Sequence, residues 1–299
     1  MKTTGAEHFH NRGQAESAAS AFPPLLIAAR RIADAIIHGE HGRRHAGPGD
    51  EFWQFRAYSP GDAAQHIDWR RSARGDRLLV RQNEWAATNT LWTWVSRSPG
   101  MDYRSNLSNT SKYDRACLIA LALSVLAIRA GERVAALGSP HAPGHTGTTL
   151  DHLARWYAAP LKEPQDHRLP RFATCLFVSD FLEPVSELRQ RLRSYAAGGV
   201  TGHMVQVLDP AEETFPFTGR TQFVEMDGAD KLLAGKAETL RTAYIKKLED
   251  HRAALRELAR SLGWTFTLHH TDKPPHTVLL ALYQLIAGEA PALQFAQPG

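Results

Sequence analysis

Charged and hydroxylic side chains crowd two places in this sequence. The first is the stretch 51–83, EFWQFRAYSPGDAAQHIDWRRSARGDRLLVRQN, where Asp62 and Asp68 stand close to Arg70, Arg71 and Arg74. A carboxylate within a turn of several guanidiniums can be gripped in bidentate fashion, so the chemistry on offer is ion pairing, either inside the fold or across an interface. The second place is Ser96-Arg97-Ser98-Pro99-Gly100-Met101, two hydroxyls directly after an apolar segment, with Asp180 following a later apolar segment in VSDF. His38, His41 and His45 have spacings that would serve a metal on an unbroken helix, but Gly39 and Gly42 interrupt it, so a solvated loop is expected. There is no GxxxxGK(S/T) phosphate loop, no GxGxxG after a strand, no HExxH, no CxxC and no GxSxG elbow. The chain is therefore expected to be non-enzymatic, with no small-molecule substrate.

The elements that must position these residues are legible from periodicity. Pro23-Pro24 open a helix with Leu25, Ala29, Ile32 and Ile36 on one stripe and Gly39 at its end. Phe52, Phe55 and Tyr58 read as a half-buried strand that Ser59-Pro60-Gly61 ends in a turn. Asp62 and Gln65 form a capping-box pattern for a short helix, and residues 77–83 alternate as the next strand. From residue 89 onward strands alternate with helices, the mark of a parallel sheet covered on both faces. Strands are expected at 90–95, 133–137, 174–178, 203–208 and 264–269, with an edge strand at 222–226. Helices are expected at 113–130, 150–158, 183–195, 236–262 and 277–287. The fold class is thus α/β, a doubly wound, mostly parallel sheet of the Rossmann type with a small N-terminal α+β module. Residues 1–21 read as a flexible tail, 22–88 as the N-terminal module and 89–290 as the α/β domain.

Composition agrees with a folded chain: 43% of the 299 residues are hydrophobic. Charges nearly balance at 35 basic and 31 acidic, yet five arginines and one aspartate fall in 70–81, so the basic excess is local. That favours an acidic partner patch or internal pairing over wholesale nucleic-acid binding, although Trp69 and Trp85 beside the arginines keep a nucleic-acid surface as the alternative. Cys117 and Cys175 each lie in an apolar run and read as small core residues, which fits a reduced compartment. Residues 1–20 carry no apolar core segment, and the apolar run 116–128 is too short by about a third to cross a bilayer, so a cytoplasmic protein without direct membrane insertion is expected.

The run RxYxPGDxxxxIDWRxSARxxxLLVRQ, residues 56–82, resembles the signature of the DUF58 family, bacterial proteins with a von Willebrand factor A-like (vWA-like) domain. The residues that carry the resemblance are Arg56, Tyr58, Gly61, Asp62, Asp68, Trp69, Arg70, Arg71 and Arg74, and the segment DPAEETFPF at 209–217 also looks like its family counterpart. The resemblance implies a short form of the family without the membrane helices of longer relatives. It also implies a MoxR-type AAA+ ATPase, or that ATPase's client, as partner in the assembly or maturation of other proteins. Its signature residues would bind the partner or dock the module through buried ion pairs. In vWA domains the first strand ends in DxSxS, which holds Mg²⁺ or a similar hard cation together with a threonine and an aspartate from other loops. Aligned on Met101, Ser96 replaces the aspartate, Ser98 keeps the first serine and Gly100 replaces the second, while Asp180 stands where the later carboxylate would be and Thr148 or Thr149 where the loop threonine would be. Hard cations need several oxygen ligands, preferably charged, and Arg97 adds a cation nearby, so this degenerate site is expected to hold no metal. Restoring ligands by Ser96→Asp with Gly100→Ser is the change the alignment suggests for recovering affinity.

Asp68, beside Trp69 and the arginines, reads as a paired and buried carboxylate, whereas Asp76 after Gly75 reads as a turn residue. Asp68→Ala is expected to destabilise the protein by on the order of 3 to 5 kcal/mol and Asp76→Ala by roughly half a kcal/mol or less. Equal melting temperatures for the two variants would rule out a buried Asp68.

Overall fold

The apolar runs that alternate with helical stretches after residue 89 form five parallel strands in a computed structural model, which describes residues 26–37, 52–57, 72, 79–83, 90–159, 168–224 and 231–286. The chain divides into two units, one of residues 42–89 and one of residues 1–41 with 90–299.

In the smaller unit, β1 (Phe52–Ala57) pairs antiparallel with β2 (Leu79–Asn83), with an irregularity between Phe52 and Gln54. Arg56 is on β1 opposite Val80. Tyr58, Gly61, Asp62, Asp68, Trp69, Arg70, Arg71 and Arg74 lie outside the described residues.

The first described element of the larger unit is helix α1, residues 26–37. The sequence boundary at residue 22 groups this helix with the signature, but its Leu26, Ala29, Ala33 and Ile36 lie in the core of the larger unit. The strands are β3 (Thr90–Val95), β4 (Arg133–Ala136), β5 (Thr174–Ser179), β6 (Thr201–Leu208) and β9 (Thr265–His270), in the order β4-β3-β5-β6-β9. Two helical layers cover the sheet. One face is packed by α1, α2 (Lys112–Arg129), α3 (Gly147–Ala158) and α7 (His276–Ile286). The other is packed by α4 (Val185–Ala197) and α6 (Arg241–Ser261). The fold is a doubly wound α/β fold with a five-stranded parallel sheet, as the alternating pattern implies. Helix α2 is buried almost all round, because it lies against the sheet with α3 and α7 beside it. Cys117 and Cys175 are both buried free thiols, and burial pushes the Cys117 thiol up to about 12.

Differences from the sequence reading have local causes. Helix α3 starts three residues earlier than expected because Thr146 and Thr149 cap it reciprocally. The expected edge strand at 222–226 is β7 (Thr221–Val224), which pairs with β8 (Lys231–Ala234) in a separate two-stranded antiparallel sheet. The helix expected from 236 has a 3-10 turn first, Ala237–Leu240, and its stripe is broken: Leu240 is exposed while the buried positions include Arg252. A one-turn helix, α5 (Pro210–Thr214), follows β6, set by the Asp209 and Glu212 capping box and by Pro210 at its first position.

On the α4/α6 face Phe177 stacks on Trp264, ring centroids 5.2 Å apart, and the Trp264 indole N–H donates to Val200 O. Gly202 makes room for that indole, since a Cβ there would lie 2.1 Å from the ring. Gly202→Ala is therefore expected to cost about 1 to 3 kcal/mol through forced repacking. Gly147→Ala, in the first turn of α3 with open space around it, is expected to be neutral or stabilising by up to about 1 kcal/mol. Urea denaturation of the two variants checks the contrast, and a Gly202→Ala protein as stable as wild type would refute it.

Candidate functional site

Strand β3 connects to β4 on one side and lies against β5 on the other, so the strand order reverses between β3 and β5. In open α/β sheets the crevice at the carboxyl ends of such strands is the usual place for a site. Ser96 directly follows β3 and Asp180 directly follows β5, and the Ser96 N–H donates to Val178 O at 2.9 Å, tying the two ends together. The chain then folds into a tight turn. The Ser98 N–H donates to Ser96 Oγ at 3.2 Å, and Pro99–Asp102 is a 3-10 turn with Met101 fully buried. Gly100 presses on Asp180: a Cβ at position 100 would lie 2.9 Å from Asp180 Oδ2.

The centre of this crevice is an ammonium group. Lys112, the first residue of α2, is held in place by the Ser111 cap and by its own N–H donating to Tyr103 O. Its Nζ donates to Asp180 Oδ2 at 2.9 Å and to Glu212 Oε1 at 2.6 Å, and its side chain is 1% exposed. The Tyr103 ring centroid lies 5.9 Å from Nζ. Glu212 turns its other oxygen to the Asp209 N–H at 2.8 Å, while Asp209 caps α5 and accepts from Ser105 N–H at 2.9 Å. Asp180 is further fixed through its backbone, because the Gln206 amide donates to its carbonyl. Burial raises the Glu212 carboxyl above its usual range, with Lys112 opposing that shift.

These residues do not fit a divalent cation as they stand. Such an ion takes six or more oxygen ligands, or close to ideal octahedral geometry if it is Mg²⁺. Here a cation already bridges the two carboxylates, and Gly100 is packed against Asp180. Among the described residues no group of three or more His, Cys, Asp or Glu side chains is placed to hold a metal ion. The structure brings the Ser96–Gly100 turn and Asp180 together, and it leaves Ser98 Oγ buried with no hydrogen-bond partner among the described residues. Thr149 is spent elsewhere, in the capping box with Thr146. Arg97 does not face the site either. Its guanidinium donates to Ala159 O and Trp156 O at the end of α3 and lies over the Tyr113 and Trp156 rings. Gly100→Ser would require Asp180 to shift, since a Cβ there would lie 2.9 Å from Asp180 Oδ2.

Lys112, Glu212 and Asp209 carry no site role in the sequence expectations. Lys112 stands in SKYDRAC, an ordinary helix start, and nothing local marks it as buried. Glu212 falls in the segment DPAEETFPF, whose resemblance to its family counterpart gives it no role of its own.

Residues 54–254 match a family described as protein of unknown function DUF58. An uncharacterized protein of Mycobacterium tuberculosis is 27% identical over 280 residues, covering 85% of both chains, and one from Mycobacterium bovis matches equally. Among solved structures, the conserved hypothetical protein BatB from Bacteroides thetaiotaomicron superposes with a TM-score of 0.41 at 11% identity, over 67% of this chain and 98% of that one. An aerotolerance-related membrane protein from Bacteroides fragilis gives a TM-score of 0.39 at 13% identity, over 67% of this chain and 99% of that one. No helix among the described residues is long and apolar enough to cross a membrane.

Asp180→Ala leaves the Lys112 ammonium buried with Glu212 alone and is expected to cost on the order of 3 to 5 kcal/mol. Glu257→Ala, which breaks the exposed pair of Arg260 and Glu257 on α6, is expected to cost at most about 1 kcal/mol. Urea denaturation separates them, and equal losses would show that Asp180 is not what supports the ammonium.

Proposed function

This chain belongs to the DUF58 family, and from that premise we propose that it is a non-enzymatic protein–protein interaction module that works with a MoxR-type AAA+ ATPase, or its client, in assembling or maturing other proteins. The observation that carries the reading is the character of the carboxyl edge of the sheet. Its polar centre is closed on itself by Lys112, Asp180 and Glu212, while large apolar side chains on the neighbouring segments face solvent. Leu107, in the segment after β3, and Leu182, in the segment after β5, are both 46% exposed. Exposed apolar residues beside a fixed polar framework suit recognition of a protein surface better than turnover of a substrate. The loop after β4, residues 138–146, belongs to the same edge. The arginines of 70–81 supply a separate, basic feature suited to steering an acidic counterpart.

The test is direct binding to the cognate ATPase, with and without nucleotide. Affinity in the tens of micromolar or tighter is expected, and Leu107→Asp with Leu182→Asp should weaken it at least about tenfold without lowering the melting temperature. Arg71→Glu with Arg77→Glu should slow association more than it speeds dissociation, and moderate salt should do the same to the wild type. No binding in either nucleotide state refutes the ATPase reading. Steeply salt-dependent binding to single-stranded nucleic acid in its place would favour the alternative surface.

A further inference from the structure

We infer that the Lys112 ammonium is the permanently installed cation of the carboxyl edge: it does for Asp180 and Glu212 what a divalent ion would otherwise do, and it thereby keeps such ions out. The inference does not depend on the partner reading. It starts from the charge arrangement. Two carboxylates from separate elements, the end of β5 and helix α5, converge on one Nζ at 2.9 and 2.6 Å, in surroundings that leave the lysine side chain 1% exposed. Carboxylates brought this close in a buried site repel each other unless a positive charge lies between them. The lysine is supplied from the first turn of α2, a third element, so the same contact fixes three segments of the edge at once.

The surroundings are those of an ammonium site. An ammonium needs up to three acceptors at hydrogen-bonding distance and tolerates an aromatic face, and here it has two carboxylate oxygens and the Tyr103 ring. A hard cation needs more oxygens at shorter range. The turn that would have to bring an additional oxygen presses glycine against Asp180, and Ser98 Oγ, buried on the same turn, has no partner among the described residues. The lysine's long, flexible stem lets its charge reach the crevice from the start of α2. Removing that stem opens space beside the two carboxylates, and in the variant these are the minimal oxygen pair for a divalent ion with water completing its shell.

Mn²⁺ is the probe, followed by the loss of the free-ion signal in electron paramagnetic resonance and by thermal melting. Wild-type protein is expected to show no saturable Mn²⁺ site and no change in melting temperature with added Mn²⁺. Lys112→Ala is expected to gain one saturable site, at least about tenfold tighter than any binding by the wild type, and to melt higher as Mn²⁺ is added. Lys112→Ala with Asp180→Asn should lose that site again. A saturable, Asp180-dependent site in the wild type overturns the inference, and so does a folded Lys112→Ala protein indifferent to Mn²⁺. If Lys112→Ala folds only when Mn²⁺ is present, at matched ionic strength, the inference is supported. If it folds in neither condition, Lys112→Gln, which keeps most of the volume and drops the charge, takes its place under the same criteria.

Discussion

A buried ammonium cannot stand without counter-charge, and this requirement organises the carboxyl edge of the sheet. Taking Lys112 out of water costs several kcal/mol, which only close, well-hydrogen-bonded carboxylates offset. Asp180 and Glu212 meet that need from two elements far apart in sequence, so the end of β5, the start of α2 and helix α5 have to be in register for the fold to close. Glu212 is in turn oriented by its second oxygen on the Asp209 N–H, and Asp209 by Ser105 and Ala211. The result is a chain of charge-assisted hydrogen bonds reaching from the segment after β3 to the segment after β6. Such a network stabilises less than its number of contacts suggests, but it specifies one arrangement.

Other cations around the sheet are used in the same way, to satisfy groups at element ends. Arg97 donates to two carbonyls at the end of α3, replacing partners that a helix terminus lacks. Arg115 donates to the carbonyls of Thr271 and Lys273 after β9, and Arg252 on α6 pairs with Glu213 beside the capping box of α5. Arg97, Arg115 and Arg252 thus spend their charge on partners inside the fold. The local basic excess of the sequence lies in the stretch 70–81.

Why the sheet was legible and the triad was not follows from range. β3, β5 and β6 are buried on both faces and therefore read as near-continuous apolar runs, and the alternation with helices dictates a parallel sheet. Ser96 and Asp180 could be placed at strand ends for the same local reason. Lys112 and Glu212 could not, because the ion pair spans 100 residues and each partner looks like an ordinary residue at a helix start. Arg97 could be read as a charge but not aimed: its direction depends on two carbonyls about sixty residues away. The break in the α6 stripe has the same origin, since Arg252 is buried only because Glu213 reaches it.

The backbone after β5 links the closed centre to the exposed rim. Phe181 adopts a left-handed conformation at φ 49° although it is bulky and fully buried, a choice that costs on the order of 1 kcal/mol or more. It is held there from both sides, by Ser179 Oγ accepting its N–H at 3.0 Å and by the His251 ring nitrogen 2.6 Å from its carbonyl oxygen. The reversal at Phe181 lets three consecutive residues face three environments. Asp180 goes inward to the ammonium, Phe181 into the α4/α6 core, and Leu182 out to solvent. Relaxing the strain would therefore cost the ion pair and the exposed leucine together, because Leu182 is turned outward by the same reversal that presents the carboxylate to Lys112.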